Sequence, residues 1–176
     1  YHWFCGGTLF GRDFVVTAAH CLHDADTGQL NLDGLIGLAI EVHRHDLGAP
    51  LCTECALRIA VQSIAVHPDY DNDTLENDVA VLRLATSVPD DYEIASVGLD
   101  TTGDFFNEGQ TFLAAGWGAT STDPDNPAYS ETLNAVEVEF IKRSTCTSSS
   151  WTYTTAEVTS GSKYRSLQLR LRRTNN

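Results

Sequence analysis

Apolar residues in this chain come in short segments that alternate with polar residues and are cut by Gly, Asp, Asn and Pro. Phe14–Thr17, Leu35–Val42, Arg58–Val66, Val79–Leu84, Thr111–Ala115 and Thr132–Ile141 all have this form. In the last, Leu133, Ala135, Glu137 and Glu139 fall on one side, and Val136, Val138 and Phe140 on the other. That is the period of a strand, whose successive side chains point to opposite faces. No long helical period competes with it, and nothing recurs at solenoid or propeller spacing. Many short strands separated by turn signals predict an all-β barrel or sandwich. Asp100–Glu108, rich in Gly, Asp, Asn and Thr, reads as a linker. Ser121–Ser130, with Pro124 and Pro127, reads as a loop, and Thr145–Thr155 as a Ser/Thr-rich stretch.

Charge narrows the partners. Eleven basic residues against 24 acidic ones leave a formal net charge of −13. Phosphate backbones and anionic membranes would repel such a surface, so nucleic acid and membrane partners are not expected. No apolar run is long enough for a transmembrane helix, and no signal segment opens the chain. The charge also switches abruptly. Residues 161–176 hold Lys163, Arg165, Arg170, Arg172 and Arg173 and no acid, so the first 160 set six basic residues against 24 acidic, a net of −18. The chain opens on Tyr1 and has no Met, which predicts a processed form or a fragment. Five cysteines point to an oxidising, secreted setting, and the odd number predicts one without a partner inside the chain.

The most informative motif is Val16-Thr17-Ala18-Ala19-His20-Cys21, preceded by Cys5-Gly6-Gly7-Thr8-Leu9. Here the chain resembles the trypsin/chymotrypsin family of serine endopeptidases, which shows Cys-Gly-Gly, a strand, and Thr-Ala-Ala-His-Cys around its catalytic histidine. The resemblance implies that Cys5 and Cys21 form a disulfide clamping the histidine loop. Such a bridge closes a loop of roughly 15 residues and contributes on the order of 3 kcal/mol in the chain-entropy description. It would also help to hold a general base within hydrogen-bond reach of its nucleophile.

Asn77-Asp78-Val79-Ala80-Val81-Leu82-Arg83-Leu84 resembles the family's Asn-Asp-Ile-Ala-Leu segment, and Ile64-Ala65-Val66-His67-Pro68-Asp69-Tyr70 resembles the approach to it. The resemblance implies that Asp78 orients His20, in the order His then Asp that precedes Ser in this class. Ala115-Gly116-Trp117-Gly118 resembles the start of the family's second barrel, and Leu133–Cys146 its next strand and a following cysteine. The motifs thus run from Trp3 to about Cys146. They imply a chymotrypsin-like double β-barrel: a first barrel over 1–108 carrying His20 and Asp78, the start of a second over 109–146, and a divergent tail over 147–176.

Beyond Cys146 the motifs stop. The family would next supply a partner cysteine, a specificity-pocket residue and Gly-Asp-Ser-Gly-Gly with the nucleophile, and it would open on Ile-Val-Gly-Gly. Gly-Asp occurs once, at Gly103-Asp104, and is followed by Phe105; Ser160-Gly161-Ser162 has the wrong context. The expectation is therefore a fragment of a trypsin-like serine endopeptidase without its catalytic serine. The rival expectation is a catalytically inactive homologue acting as a binding or regulatory protein. The basic, unrelated tail is read as mistranslated or disordered. The competing reading is an amphipathic strand in which Leu167, Leu169 and Leu171 alternate with Gln168, Arg170 and Arg172.

Other signals are weaker. Cys52-Thr53-Glu54-Cys55 lies near His43-Arg44-His45, which are zinc-ligand types without zinc spacing, so a surface insertion with a Cys52–Cys55 bridge is preferred. Asp69, Asp71 and Asp73 begin like a calcium loop, but Thr74 stands where Gly is required, so a solvated acidic turn is expected. Asn72-Asp73-Thr74 is a glycosylation sequon. His2, His23 and Lys142 are expected at the surface. The resemblance implies protein or peptide substrates, protease inhibitors as partners, a secreted monomer, and neither cofactor nor metal.

Overall fold

A computed structural model describes residues 2–24, 27–31, 36–50, 56–95, 98, 109–120, 128–140 and 168–173. The strands are β1 (His2–Phe10), β2 (Phe14–Thr17), β3 (Ala39–Val42), β4 (Leu57–Val66), β5 (Ala80–Leu84), β6 (Thr111–Gly116), β7 (Asn134–Glu139) and β8 (Gln168–Arg173), with one short 3₁₀ turn at His20–Leu22. The all-β expectation holds. The chain divides into two compact units, one of Tyr1–His45, Ala49–Val97 and Ser166–Asn176, the other of Asp46–Gly48 and Gly98–Arg165.

The first unit is a closed barrel in the order β1-β2-β5-β4-β3-β8, with β8 pairing back onto β1. Closure removes exposed strand edges. The alternation is clearest in β5, where Ala80, Leu82 and Leu84 are buried and Val81 and Arg83 are exposed. Leu9, Val15, Leu22, Ile40, Val42 and Ile59 complete the core with them. Gly7 lets β1 and β2 approach closely, because a Cβ there would lie 2.7 Å from Val15 Cγ1. The register of β4 against β5 shifts between Val61 and Ser63, a β-bulge that bends the longer strand around the barrel.

β8 comes from the segment expected as a divergent tail. It pairs antiparallel with β1, setting Leu171 opposite Cys5, and with β3, setting Arg170 opposite Glu41. Gln168–Arg173 is thus a strand of the first unit. β3 carries a further departure from simple patterning: all four of its residues are buried, Glu41 among them. Arg44 meets it, Nε to Oε2 at 3.2 Å, and Arg44 is itself nearly fully buried.

In the second unit β6 and β7 form a two-stranded antiparallel sheet, from Thr111 opposite Glu139 to Gly116 opposite Asn134. Ala119 bridges Tyr129, across the loop read at Ser121–Ser130. The linker read at Asp100–Glu108, Cys52, Cys55, Lys142, Cys146 and the Thr145–Thr155 stretch lie outside the described residues.

Candidate functional site

Barrel pairing brings the two singled-out residues together. β2 and β5 are antiparallel, with Thr17 opposite Ala80. His20 follows the end of β2 by three residues and Asp78 precedes β5 by two, so both emerge at the same end of the pair. The turn after β2 is a single 3₁₀ turn in which the Leu22 N–H donates to the Ala19 carbonyl at 2.9 Å and the His23 N–H to the His20 carbonyl at 3.2 Å. Before β5, Asn77 takes a left-handed backbone conformation (φ 57°), which Asn tolerates better than most residues. Its side-chain amide donates to the Asp69 carbonyl at 2.8 Å, which fixes the bend that delivers Asp78.

Asp78 grips His20 twice. Oδ1 accepts the backbone N–H of His20 at 2.8 Å, and Oδ2 lies 2.7 Å from His20 Nδ1. A carboxylate only accepts, so this contact requires a proton on Nδ1. Burial tends to raise the Asp78 pKa. The hydrogen bonds from the His20 ring and backbone, the attraction of the imidazolium, and the Ala19 N–H outweigh it, so the carboxyl is held below its ordinary value. The His20 side chain is 52% exposed and Asp78 only 23%. An open imidazole backed by a sheltered carboxylate can take up a proton at Nε2 and be stabilised as it does so.

Cys5 on β1 and Cys21, directly after His20, are joined by a disulfide. His20 Nε2 lies 3.6 Å from Cys21 Sγ. Cys5, His20 and Cys21 offer ligand atoms within 4.8 Å of one another, but the sulfurs are bonded to each other. They are not the thiolates that a metal site of this composition needs.

His23 corrects the surface assignment. It is half-buried, with Nδ1 2.7 Å from the Ala19 carbonyl and its ring centroid 4.8 Å from that of Tyr70. No sequence pattern marked it. Tyr70 in turn donates from its hydroxyl to Asn72 Oδ1 at 3.1 Å. Its pKa is raised by burial, then by the charges of Asp78 and Asp71. Asn72, the sequon asparagine, is half-buried rather than fully exposed, and a Cβ at Gly28 would lie 3.0 Å from its Nδ2. The acidic turn forms around Asp71, whose Oδ1 accepts the Asp73 and Thr74 N–H groups at 2.8 and 3.0 Å. Those two bonds hold its carboxyl below the ordinary value. His43 is turned to the Glu93 carbonyl (3.2 Å) and packs edge-on against Tyr92.

The chain with this closed β-barrel and disulfide-clamped histidine, gripped at Nδ1 by an aspartate just before β5, matches the Trypsin family model over residues 1–166. The chain belongs to the trypsin family. The match runs past Cys146, where the recognisable motifs end. Curated relatives include "Trypsin iota" of Drosophila melanogaster, 29% identical over 149 residues (85% of this chain and 52% of the relative), and "Trypsin theta" of Drosophila erecta, 34% identical over 155 residues (85% and 51%). "Mast cell protease 8" of Mus musculus is 32% identical over 149 residues (85% and 53%). The chain spans about half the length of these relatives.

Proposed function

We propose that this chain carries the base and orienter of a trypsin-like serine endopeptidase acting on protein or peptide substrates. The observation that carries the reading is the double grip of Asp78 on His20, through Nδ1 and through the backbone N–H. His20 Nε2 accepts the proton of a serine hydroxyl as that oxygen attacks the scissile carbonyl, then returns it to the leaving amine. Asp78 stays ionised, fixes the ring tautomer and stabilises the imidazolium. Its lowered pKa supports that role. The disulfide between β1 and the histidine turn holds the base in place, and with five cysteines it supports a secreted protein. We take the protein to be a monomer open to protease inhibitors, needing no cofactor.

No Gly-Asp-Ser-Gly-Gly occurs among the 176 residues. The proposal therefore assigns the serine nucleophile, the oxyanion hole and the primary specificity pocket to family sequence outside this stretch. The alternative reading is a catalytically inactive homologue that binds rather than cleaves. Two experiments separate them. Sequencing the transcript through and beyond Thr155 in all frames finds the serine segment if the first reading holds. A serine-directed phosphonate probe then labels the protein made from that transcript and leaves the 176-residue chain unlabelled. Labelling of the 176-residue chain would overturn the assignment of the nucleophile, and a transcript with no serine segment would leave the binding homologue.

A further inference from the structure

We infer that His23 is a positioning residue for the His20–Asp78 pair, acting through the Ala19–His20 peptide; the inference rests on the catalytic reading above. The peptide bond between Ala19 and His20 is planar. The Ala19 carbonyl and the His20 N–H are the two ends of one rigid peptide unit. The His20 end donates to Asp78 Oδ1 at 2.8 Å. The Ala19 end accepts the His23 Nδ1–H at 2.7 Å and the Leu22 N–H at 2.9 Å. Fixing the oxygen at one end therefore fixes the direction of the N–H at the other.

The turn needs this support. It is a single 3₁₀ turn with no side-chain hydrogen bond at its N-terminal end, and 3₁₀ hydrogen bonds are poorly aligned. A donor on the carbonyl also polarises the peptide and strengthens the N–H as a donor, since hydrogen bonds in a chain reinforce one another. A carbonyl can only accept, so the contact requires a proton on His23 Nδ1. The Tyr70 ring packs against that of His23, and Tyr70 is itself tied to Asn72. Asn72, Tyr70, His23 and the Ala19–His20 peptide thus form a relay of contacts ending on the Asp78 carboxylate.

The test uses isotope-labelled 176-residue chain and the isosteric pair His23→Asn and His23→Leu. Asn offers an amide donor near the place of Nδ1, and Leu has the same shape without one. The readouts are the His23 ring ¹⁵N shifts, hydrogen exchange of the His20 amide, and the low-field His20 Nδ1–H resonance. The expected result is Nδ1-protonated His23 in the parent. His23→Leu speeds His20 amide exchange roughly five- to tenfold, the loss of one ordinary hydrogen bond, and broadens the Nδ1–H signal. His23→Asn restores both, and barrel amides such as Leu82 are unchanged throughout. A His23 with no proton on Nδ1 overturns the inference without any variant. So does a Leu variant that exchanges like the Asn variant, or one in which barrel amides accelerate equally. A parent with no low-field His20 Nδ1–H would sink the catalytic reading instead, and the His20 amide would still report on His23.

Discussion

Removing the Cys5–Cys21 crosslink by the double substitution Cys5→Ala/Cys21→Ala tests the energetics of the histidine turn most directly. The cysteines are 16 residues apart in sequence. In the chain-entropy description a crosslink of this span restricts the unfolded chain by about 10 cal/mol/K, or about 3 kcal/mol at 25 °C. The loop it closes contains β2 and the glycine-mediated contact of β1 with β2, so these local pairings would retain part of the native order without it. Loss of the buried Cys21 sulfur adds to the cost, since Cys21 is only 8% exposed. The expected loss is therefore about 3 kcal/mol, with a floor near 2. At a urea m-value of about 2 kcal/mol/M this lowers the midpoint by about 1.5 M. The assay is urea unfolding of parent and variant, followed by Trp fluorescence and far-UV circular dichroism in the same samples. The effect on the site is read from the His20 Nδ1–H resonance, which should broaden because Cys21 is the residue next to His20. A midpoint shift below about 1 M would refute the entropic account. It would mean that barrel closure alone fixes the turn.

Acid should expose the Asp78 contribution. Its folded pKa is depressed, so the stability it adds is present above the ordinary value of 3.8 and is lost as pH falls through the lower folded value. Asp78→Asn should flatten the acid limb of a plot of urea midpoint against pH, while an unchanged limb would contradict the assigned bonds. Gly7→Ala puts a Cβ 2.7 Å from Val15 Cγ1 and 3.1 Å from the Val16 carbonyl oxygen, and should cost about 1–3 kcal/mol in urea unfolding. Val15→Ala in the same chain should recover part of that cost, giving a less than additive double variant. Glu41→Gln removes the carboxylate charge beside the buried Arg44 guanidinium and should cost about 3–5 kcal/mol. Glu41→Leu/Arg44→Met should cost much less than either single change, as measured by thermal unfolding.

Much of the barrel was legible because strand periodicity is local. Phe14–Thr17 is a strand with the bounds read from its sequence, and Arg58–Val66, Val79–Leu84 and Thr111–Ala115 differ from the observed strands by one residue at an end. The first strand, His2–Phe10, lacked a clear signal because Cys5, Gly6 and Gly7 interrupt its alternation. His20 and Asp78 stood out through their flanking residues, not through any sign that they meet, since 58 residues separate them. Periodicity and motif therefore determined which segments are strands, which histidine and aspartate stand out, and which cysteine lies beside the histidine. Only the tertiary structure decided the rest. The β2–β5 register brings Asp78 onto His20, His23 turns inward to the Ala19 carbonyl, and Gln168–Arg173 closes the barrel between β1 and β3. Glu41, on a strand that a period of two would half expose, lies buried against Arg44. The physical reason is the same in each case. A strand or turn preference needs only neighbouring residues. A hydrogen bond, a register or a buried ion pair exists only once distant segments have paid the entropy of coming together.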